Sequence, residues 1–419
     1  MPAWRDISRD GSRAIVYKDY KIATAVDTIT GTPRPFPNLK ISDFDIRHET
    51  FPWSDDGKAL LLFNETLHEI QIWNLDEMTV QSSIPFHSER RVDAEFCCEN
   101  RRIVVFDVIN ERADIAIYDV RTGALEYRID FPHETNERYI ESPDDRAFLR
   151  VSPDGRLLVS GAGRFQLKAE SDAPIFQRIL IWDANDGSKL KTVETSDVEF
   201  YSLYFAPRDS RHLFLFDDRD GFMEMRLSPP QSDLERSHVT MLDWQTGKTL
   251  HVFAGYPPRN KCPPVFSKDG SILVLYRSEN RNGLFWNTTT GALEADYALA
   301  DDAWISDFSP DGERVVTTNG QILDWRTNQY LCDFAKRLNL SAPIERGEFR
   351  FLDNATIVSR FLISIRNGYE HCHFRWVRLY PERWWGPVCL PEFWVAILLL
   401  MGWLWSWRRD WTEFSVRAK

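Results

Sequence analysis

The sequence repeats a two-part pattern eight times, and this repetition constrains the fold more than any other feature. The first part reads apolar-Ser-x-Asp-Gly followed by an apolar run, as in VSPDGRLLV from Val151 and FSPDGERVV from Phe308. The glycine, or the residue in its place, falls at residues 11, 57, 100, 155, 209, 270, 312 and 354, spaced 42 to 61 residues apart. Spacings in the low forties with insertions are typical of four-stranded propeller blades.

The second part reads apolar-x-apolar-Trp-Asp-x-x-Thr-Gly-x-x-apolar, as in ILIWDANDGSKL from Ile179 and IAIYDVRTGAL from Ile115. Asp-Gly and Thr-Gly supply the positive φ that tight hairpin turns need. The flanking residues are β-branched and aromatic, which predicts strands. A single four-stranded unit cannot bury both of its faces, so neighbouring units must stack. A β-sandwich with similar hairpins is the alternative, and eight units in register disfavour it.

Over residues 4–380 these units resemble the blades of the WD-repeat β-propeller family. Trp-Asp is intact at Trp182-Asp183, and two units reverse the order, at Asp243-Trp244 and at residues 324–325. The resemblance implies an all-β propeller of four-stranded blades that occupies residues 1–380. We count eight blades and keep seven as the alternative, because the first and last units are incomplete.

The same resemblance indicates where a partner would bind. In the family, the loop between the second and third strands and the connection between blades open onto one face, which is the usual binding face. Insertions fall on those connections at residues 131–146, 161–178 and 217–237, and function is often carried by long surface loops. We predict an acidic docking sector for a protein partner; the alternative is a set of solvated loop tips. The candidate residues are Glu134, Glu137, Asp144, Asp145, Glu170, Asp172, Asp217, Asp218 and Asp220.

Charge and motifs argue against nucleic-acid binding and catalysis. The chain has 63 acidic and 51 basic residues and a net charge of -12. Phosphate binding needs a basic footprint, which this composition does not provide. No GxSxG elbow, HExxH, P-loop or GxGxxG motif is present in the sequence. We therefore predict a protein that is not an enzyme, with no cofactor, no metal site and no nucleic-acid partner.

The six cysteines show no CxxC spacing, which is typical of reduced thiols in a reducing compartment. Cys97 and Cys98 are adjacent, and a β-strand would direct their side chains to opposite faces, so we expect that they do not share a metal. His371 and His373 share a strand face and offer two ring nitrogens that zinc could use. No neighbouring residue completes that site.

The last part of the sequence is strongly apolar. The segment 387–407 consists of 21 residues, of which only Glu392 is charged. A helix of that length spans about 30 Å, the hydrocarbon thickness of a bilayer. We predict a transmembrane helix over 387–407, between a juxtamembrane linker at 381–386 and a polar tail at 408–419. The predicted anchor residues are Trp394, Leu398, Leu399, Leu400, Trp403, Trp405, Trp407, Arg408 and Arg409.

Two alternatives to a membrane span stay open: an interfacial helix, or a helix packed on the propeller. The first 14 residues contain no apolar run, so we expect no secretory signal peptide and a propeller on the cytoplasmic side. The arginines on the two flanks of the span are nearly balanced and do not decide the orientation.

Together these features predict a membrane-tethered, non-catalytic propeller that acts as a scaffold for protein partners. Two other functions stay open at this stage. One is an enzyme or small-ligand propeller that uses the central channel. The other is a structural subunit of a membrane complex.

Overall fold

The computed structural model gives the chain an all-β architecture across the residues that it describes. Every regular element in this part of the chain is a β-strand. The described residues are 8, 11–18, 21–28, 30, 32–37, 53–64, 66–86, 92–109, 112–129, 149–162, 178–195, 200, 202–217, 238–256, 264–277, 282–299, 303–333, 344–354, 356–365, 368–372 and 377–378.

The strands form consecutive antiparallel sheets, numbered here in chain order. Sheet 1 contains β1 (Arg13–Lys18), β2 (Lys21–Asp27) and β3 (Pro33–Pro35), and sheet 2 contains β4 (Ala59–Asn64), β5 (Glu69–Asn74) and β6 (Thr79–Pro85). Sheet 3 contains β7 (Val92–Cys97), β8 (Arg102–Ile109), β9 (Arg112–Asp119) and β10 (Leu125–Ile129). Sheet 4 contains β11 (Leu149–Val151), β12 (Leu157–Ala162), β13 (Arg178–Asp183) and β14 (Lys189–Glu194).

The remaining sheets follow the same order. Sheet 5 contains β15 (Ser202–Phe205), β16 (His212–Asp217), β17 (His238–Asp243) and β18 (Lys248–Ala254). Sheet 6 contains β19 (Val265–Phe266), β20 (Ile272–Tyr276), β21 (Gly283–Asn287) and β22 (Leu293–Tyr297). Sheet 7 contains β23 (Ile305–Phe308), β24 (Arg314–Thr317), β25 (Gln321–Asp324) and β26 (Gln329–Asp333). Sheet 8 contains β27 (Ile344–Asp353), β28 (Thr356–Ile365), β29 (Gly368–Cys372) and β30 (Val377–Arg378).

The protein is a β-propeller with seven four-stranded blades. Sheets 3 to 8 have four strands each, and Trp53 bridges Leu60 to give sheet 2 its fourth. The first repeat unit forms a three-stranded sheet, so the preferred count of eight four-stranded blades is wrong and the alternative count of seven is correct. Among the described residues, the first unit contributes only β1, β2 and β3.

Among the described residues, the blades of sheets 2 to 6 bury apolar side chains on both faces. In sheet 4, Leu158 and Trp182 pack toward sheet 3, whereas Val159 and Ile181 pack toward sheet 5. Side chains of successive strand residues point to opposite faces, which produces this division. An apolar cluster of this kind lies at each junction from sheets 1 and 2 to sheets 6 and 7.

The Ser-x-Asp-Gly motif closes the turn between the first two strands of a blade. The Ser152 hydroxyl donates to Asp154 at 2.6 Å and accepts the backbone N–H of Leu157 at 2.9 Å. The hydroxyl therefore fixes both sides of the turn. Ser54, Ser267 and Ser309 make the equivalent bonds in their own blades.

The aspartate of the Trp-Asp motif closes the turn between the third and fourth strands. Asp183 Oδ1 accepts the backbone N–H of Asn185 at 2.7 Å, and Asp324 Oδ1 accepts that of Arg326 at 3.0 Å. The reversed Asp-Trp order thus keeps the aspartate in place and moves only the tryptophan. Trp325 stays buried and its indole N–H donates to Gly312 O at 2.7 Å.

Side-chain contacts to backbone carbonyls, called here clasps, join each of sheets 1 to 6 to the next sheet at its outer edge. At six successive junctions, a side chain of the last strand of one sheet contacts a backbone carbonyl in the turn before the last strand of the next sheet. Ser82 donates to Val120 O at 2.6 Å, and Tyr297 donates to Arg326 O at 3.1 Å. The other four pairs are Arg34 with Asp76, Tyr127 with Ala184, Lys191 with Gln245 and His251 with Thr289.

Two of the motif glycines, Gly123 and Gly155, lie where neighbouring blades touch. Gly123 has φ +68°, and a Cβ there would meet Ser83 O of sheet 2 at 2.5 Å. Gly155 has φ +71°, and a Cβ there would meet the backbone nitrogen of Cys98 at 2.7 Å. Each of these two positions therefore requires glycine for two reasons: the backbone is left-handed, and the preceding blade approaches too closely for a Cβ atom.

We expect Gly123→Ala to destabilise the propeller more than Gly247→Ala. Gly247 has φ +74° and open space around its Cβ position, so both variants carry the left-handed cost of about 1–2 kcal/mol. Only Gly123→Ala adds the overpacking against Ser83, about 1–3 kcal/mol more. The free energy of unfolding from denaturant titration measures the difference, and equal losses in the two variants would contradict the junction role of Gly123.

Candidate functional site

The Ser-x-Asp-Gly turns of neighbouring blades lie side by side on one face of the ring, called here the turn face. The Asp55 N–H donates to Asn100 Oδ1 at 3.0 Å, and the Cys98 N–H donates to Gly155 O at 3.0 Å. At the last junction, the Asp311 N–H donates to Asn354 Oδ1 at 3.0 Å. These contacts give the blades a common orientation.

The long insertions leave the blades at the opposite end of the strands. In sheet 4, Ala162 pairs with Arg178, and the insertion at 163–177 connects these two ends. In sheet 5, Asp217 pairs with His238 across the base of the next insertion. β10 ends at Ile129 and β11 begins at Leu149, at that same end of their sheets. The three insertion bases thus share the face opposite the turn face, called here the insertion face.

Most of the residues predicted from sequence lie outside the described ranges. Asp217 is the last residue of β16, at the base of its insertion, and the other eight docking candidates lie outside the described residues. The predicted membrane segment at 387–407 and its anchor residues also lie outside them. Within the part of the chain that the structure describes, no helix is long and apolar enough to cross a membrane. His371 belongs to β29, and His373 lies outside the described ranges.

A group of reactive side chains lies on the turn face, between sheets 3 and 4. It consists of Cys97, Cys98, Arg102, Glu126 and Tyr127 from sheet 3, packed against the turn of sheet 4 that contains Ala184, and is called here the thiol cluster. Cys97 and Cys98 are 2% and 5% exposed. The segment FCCENRR replaces Ser-x-Asp-Gly in this unit, so a pair of thiols stands where four other blades have a serine and the residue after it.

The prediction that Cys97 and Cys98 point to opposite faces is wrong. β7 ends at Cys97, and Cys98 begins a left-handed turn with φ +52°. Both thiols belong to the same apolar cluster between sheets 3 and 4. The alternation of a strand does not extend through the turn, and the two sulfur atoms therefore come together.

Arg102 connects this cluster to the next blade. Its Nη1 donates to Asn185 O at 2.9 Å and to Ala184 O at 3.3 Å, and its Nε lies 2.6 Å from Glu126 Oε2. The same Nη1 lies 3.9 Å from Cys98 Sγ. Tyr127 also donates to Ala184 O, so two side chains of sheet 3 hold one carbonyl of sheet 4.

The surroundings shift the pKa values of the two thiols in opposite directions. The Cys97 thiol donates a hydrogen bond to Cys98, and together with burial this raises the pKa of Cys97 well above its ordinary value. The same hydrogen bond, together with the Arg102 guanidinium, lowers the pKa of Cys98 to about 7. Burial raises the pKa of Tyr127, which keeps its hydroxyl protonated as a donor. Cys98 is therefore the more nucleophilic sulfur of the pair.

Sequence reasoning missed this cluster because Cys97 and Cys98 meet residues that are distant from them in sequence. Tyr127 and Glu126 belong to the outermost strand, and Ala184 belongs to the next repeat. The available signal was the departure of FCCENRR from the repeat pattern. A repeat that replaces its turn serine with a cysteine pair is distinctive, but its neighbours across the junction cannot be identified without the register of both blades.

Comparisons with known proteins add little to this picture. No protein-family model matches the chain, and no curated protein matches it. A chain in a crystal structure of the mitotic checkpoint complex is similar in structure, with 15% sequence identity and a TM-score of 0.47. The similarity covers 74% of this chain and 82% of that chain. At this identity and TM-score, the propeller assignment depends on the strand pairing of the chain itself.

We expect Arg102→Ala to destabilise the junction between sheets 3 and 4, whereas the neighbouring Arg101→Ala does not. The Arg102 side chain is 24% exposed and bonds two carbonyls of the next blade, so its loss should cost about 1–3 kcal/mol. The Arg101 side chain is 73% exposed, and its loss should stay within about 0.5 kcal/mol. Denaturant titration compares the two, and a similar effect of both variants would show that Arg102 does not hold the junction.

Proposed function

We propose that the protein is a divergent WD-repeat propeller that acts as a non-catalytic scaffold for protein partners and is held at a membrane by its C-terminal segment. The observation that supports this best is the common location of the insertion bases. Ala162 with Arg178 and Asp217 with His238 open onto the insertion face from neighbouring blades. A rigid platform with long loops on one sector is an arrangement that suits protein docking.

The stiffness of the platform supports a docking role. Each insertion base belongs to a blade held on both sides by apolar clusters and by clasps such as Tyr127 with Ala184 and Lys191 with Gln245. A loop whose ends are fixed in this way loses less conformational freedom on binding than a free segment does. The two strand ends that flank each insertion are thus fixed before any partner arrives.

The charge of the insertions indicates the chemistry of the partner. The three insertions carry the acidic candidates named above, and the chain as a whole has a net charge of -12. Opposite charge across an interface speeds association and selects the partner. We propose that the partner presents a basic surface to residues 131–146, 161–178 and 217–237.

The membrane tether is proposed from the apolar sequence at 387–407. Its 21 residues with one charge are sufficient for a helix across the hydrocarbon layer. We propose that the propeller lies on the cytoplasmic side of that membrane. Tethering raises the effective concentration of the docking face toward membrane-bound partners.

The docking proposal predicts that neutralising acids of the insertions weakens partner recovery. The variant combines three substitutions that remove charge without changing side-chain size: Glu134→Gln, Glu137→Gln and Glu170→Gln. At about 0.5 kcal/mol of binding free energy for each charge, recovery of the partner should fall about tenfold. The measurement is quantitative copurification from detergent-solubilised membranes, at two salt concentrations. Salt should reduce recovery by the wild type more than recovery by the variant, because screening acts on the charges that the variant lacks.

The matched control neutralises the same number of exposed glutamates on the opposite face: Glu77→Gln, Glu99→Gln and Glu313→Gln. A protein that is lost with the insertion variant and retained with this control supports the docking proposal. Equal recovery with the wild type and both variants would oppose an acidic docking sector and direct attention to the central channel. Loss with both variants would indicate a dependence on net charge alone.

The tether proposal predicts that Leu398→Lys, Leu399→Lys and Leu400→Lys together release the protein from membranes. Each lysine near the centre of a span costs about 2.5–3.5 kcal/mol for insertion. The variant should appear in the soluble fraction after alkaline carbonate extraction, whereas the wild type stays with the membranes. A control with three leucine-to-alanine changes at the same positions should stay membrane-bound. Wild type that is extracted by carbonate would overturn the transmembrane assignment.

A further inference from the structure

The cysteine pair of the thiol cluster is not needed to build its blade. In four other blades a serine closes the same turn, as the Ser152 hydroxyl does with its bonds to Asp154 and Leu157. Cys97 occupies the serine position of its repeat, and Cys98 takes the position of Pro153. The common motif closes this turn with a hydroxyl, and the two sulfur atoms add a thiol chemistry that the motif lacks.

Three features make the pair suitable for thiol exchange. Cys97 and Cys98 are adjacent in sequence, and both belong to the same apolar cluster between sheets 3 and 4. The Arg102 guanidinium lies 3.9 Å from Cys98 Sγ and stabilises a thiolate there. Cys98 belongs to a turn of three consecutive left-handed residues with Glu99 and Asn100, and the Glu99 side chain is exposed.

The remaining contacts of Cys98 link its redox state to the blade junction. Its Sγ lies 3.3 Å from Ala184 O and 3.5 Å from Gly155 O, so both carbonyls, which belong to sheet 4, are within reach of its single S–H donor. Its backbone N–H also donates to Gly155 O at 3.0 Å. A disulfide sulfur carries no proton and cannot donate to either carbonyl.

We propose that Cys97 and Cys98 form a reversible vicinal disulfide with a low-molecular-weight disulfide as the oxidant, and that its formation loosens the junction between sheets 3 and 4. Adjacent Cα atoms lie about 3.8 Å apart, below the usual range of about 4.4–6.8 Å for disulfides. A bond formed across so short a distance is readily reduced, which favours a switch over a permanent crosslink.

The exchange proceeds in two balanced steps. The Cys98 thiolate attacks one sulfur of the reagent RSSR, forming a mixed disulfide and releasing RS⁻, which takes up a proton. The Cys97 thiol then loses its proton, and its sulfur attacks Cys98 Sγ and releases the second RS⁻. The two protein thiols are oxidised by two electrons, and RSSR is reduced to two RSH. Excess dithiol reductant reverses both steps.

The experiment exposes the full-length protein to oxidised glutathione and maps its cysteines by mass spectrometry. We expect a loss of two hydrogen atoms in mass and a peptide that contains both Cys97 and Cys98 as a disulfide, reversed by dithiothreitol. Hydrogen exchange of the oxidised protein should accelerate about tenfold at residues 152–157 and 183–188. It should stay unchanged at residues 267–272, which form the equivalent turn of sheet 6.

Two variants test the roles of the two sulfur atoms. Cys97→Ser restores the residue found at this position in other blades, so it should fold, and it should stop at the mixed disulfide on Cys98. Cys332→Ser removes a cysteine of sheet 7 and should leave the vicinal disulfide unchanged. The proposal is overturned if the wild type forms no Cys97–Cys98 disulfide. It is also overturned if oxidation leaves hydrogen exchange at the junction unchanged.

Discussion

The contact between successive blades is the interaction on which this structure depends. An isolated four-stranded sheet with two apolar faces would expose both of them to water, and only a neighbour on each side removes that cost. Leu158 and Trp182 meet sheet 3, while Val159 and Ile181 meet sheet 5. The repeat is therefore a unit of packing, and its conformation becomes stable only within the stack.

The repeat motifs stabilise the junctions between blades as well as their own turns. Gly123 and Gly155 serve their own turns with positive φ, and both also leave room for the backbone of the preceding blade. The aspartate of Trp-Asp closes a turn whose carbonyls accept the clasp from that preceding blade, as Asp324 and Arg326 show. A substitution in one motif is thus expected to affect two blades.

The sequence predicted the propeller because its signals are local. Asp-Gly turns, alternating apolar residues and a regular spacing act within one unit, and they also located the insertions between the correct strands. The thiol cluster could not be predicted in the same way. It joins Cys98 to Ala184, residues far apart in sequence, through the register between two blades. The expectation for the cysteine pair failed because it extended strand alternation into a turn, where φ is +52° at Cys98.

The sequence by itself determined the all-β propeller, the position of each turn, and the strands between which the insertions lie, since these follow from residue types at short range. The tertiary structure decided the number of four-stranded blades, the partners of the clasps and the convergence of the thiols. Six different pairings perform the same clasp, among them Ser82 with Val120 and His251 with Thr289. Residue type does not identify these side chains in the sequence. Any side chain that can donate a hydrogen bond over the required distance can pair with the carbonyl, and only the packing of the neighbouring blade brings the two together.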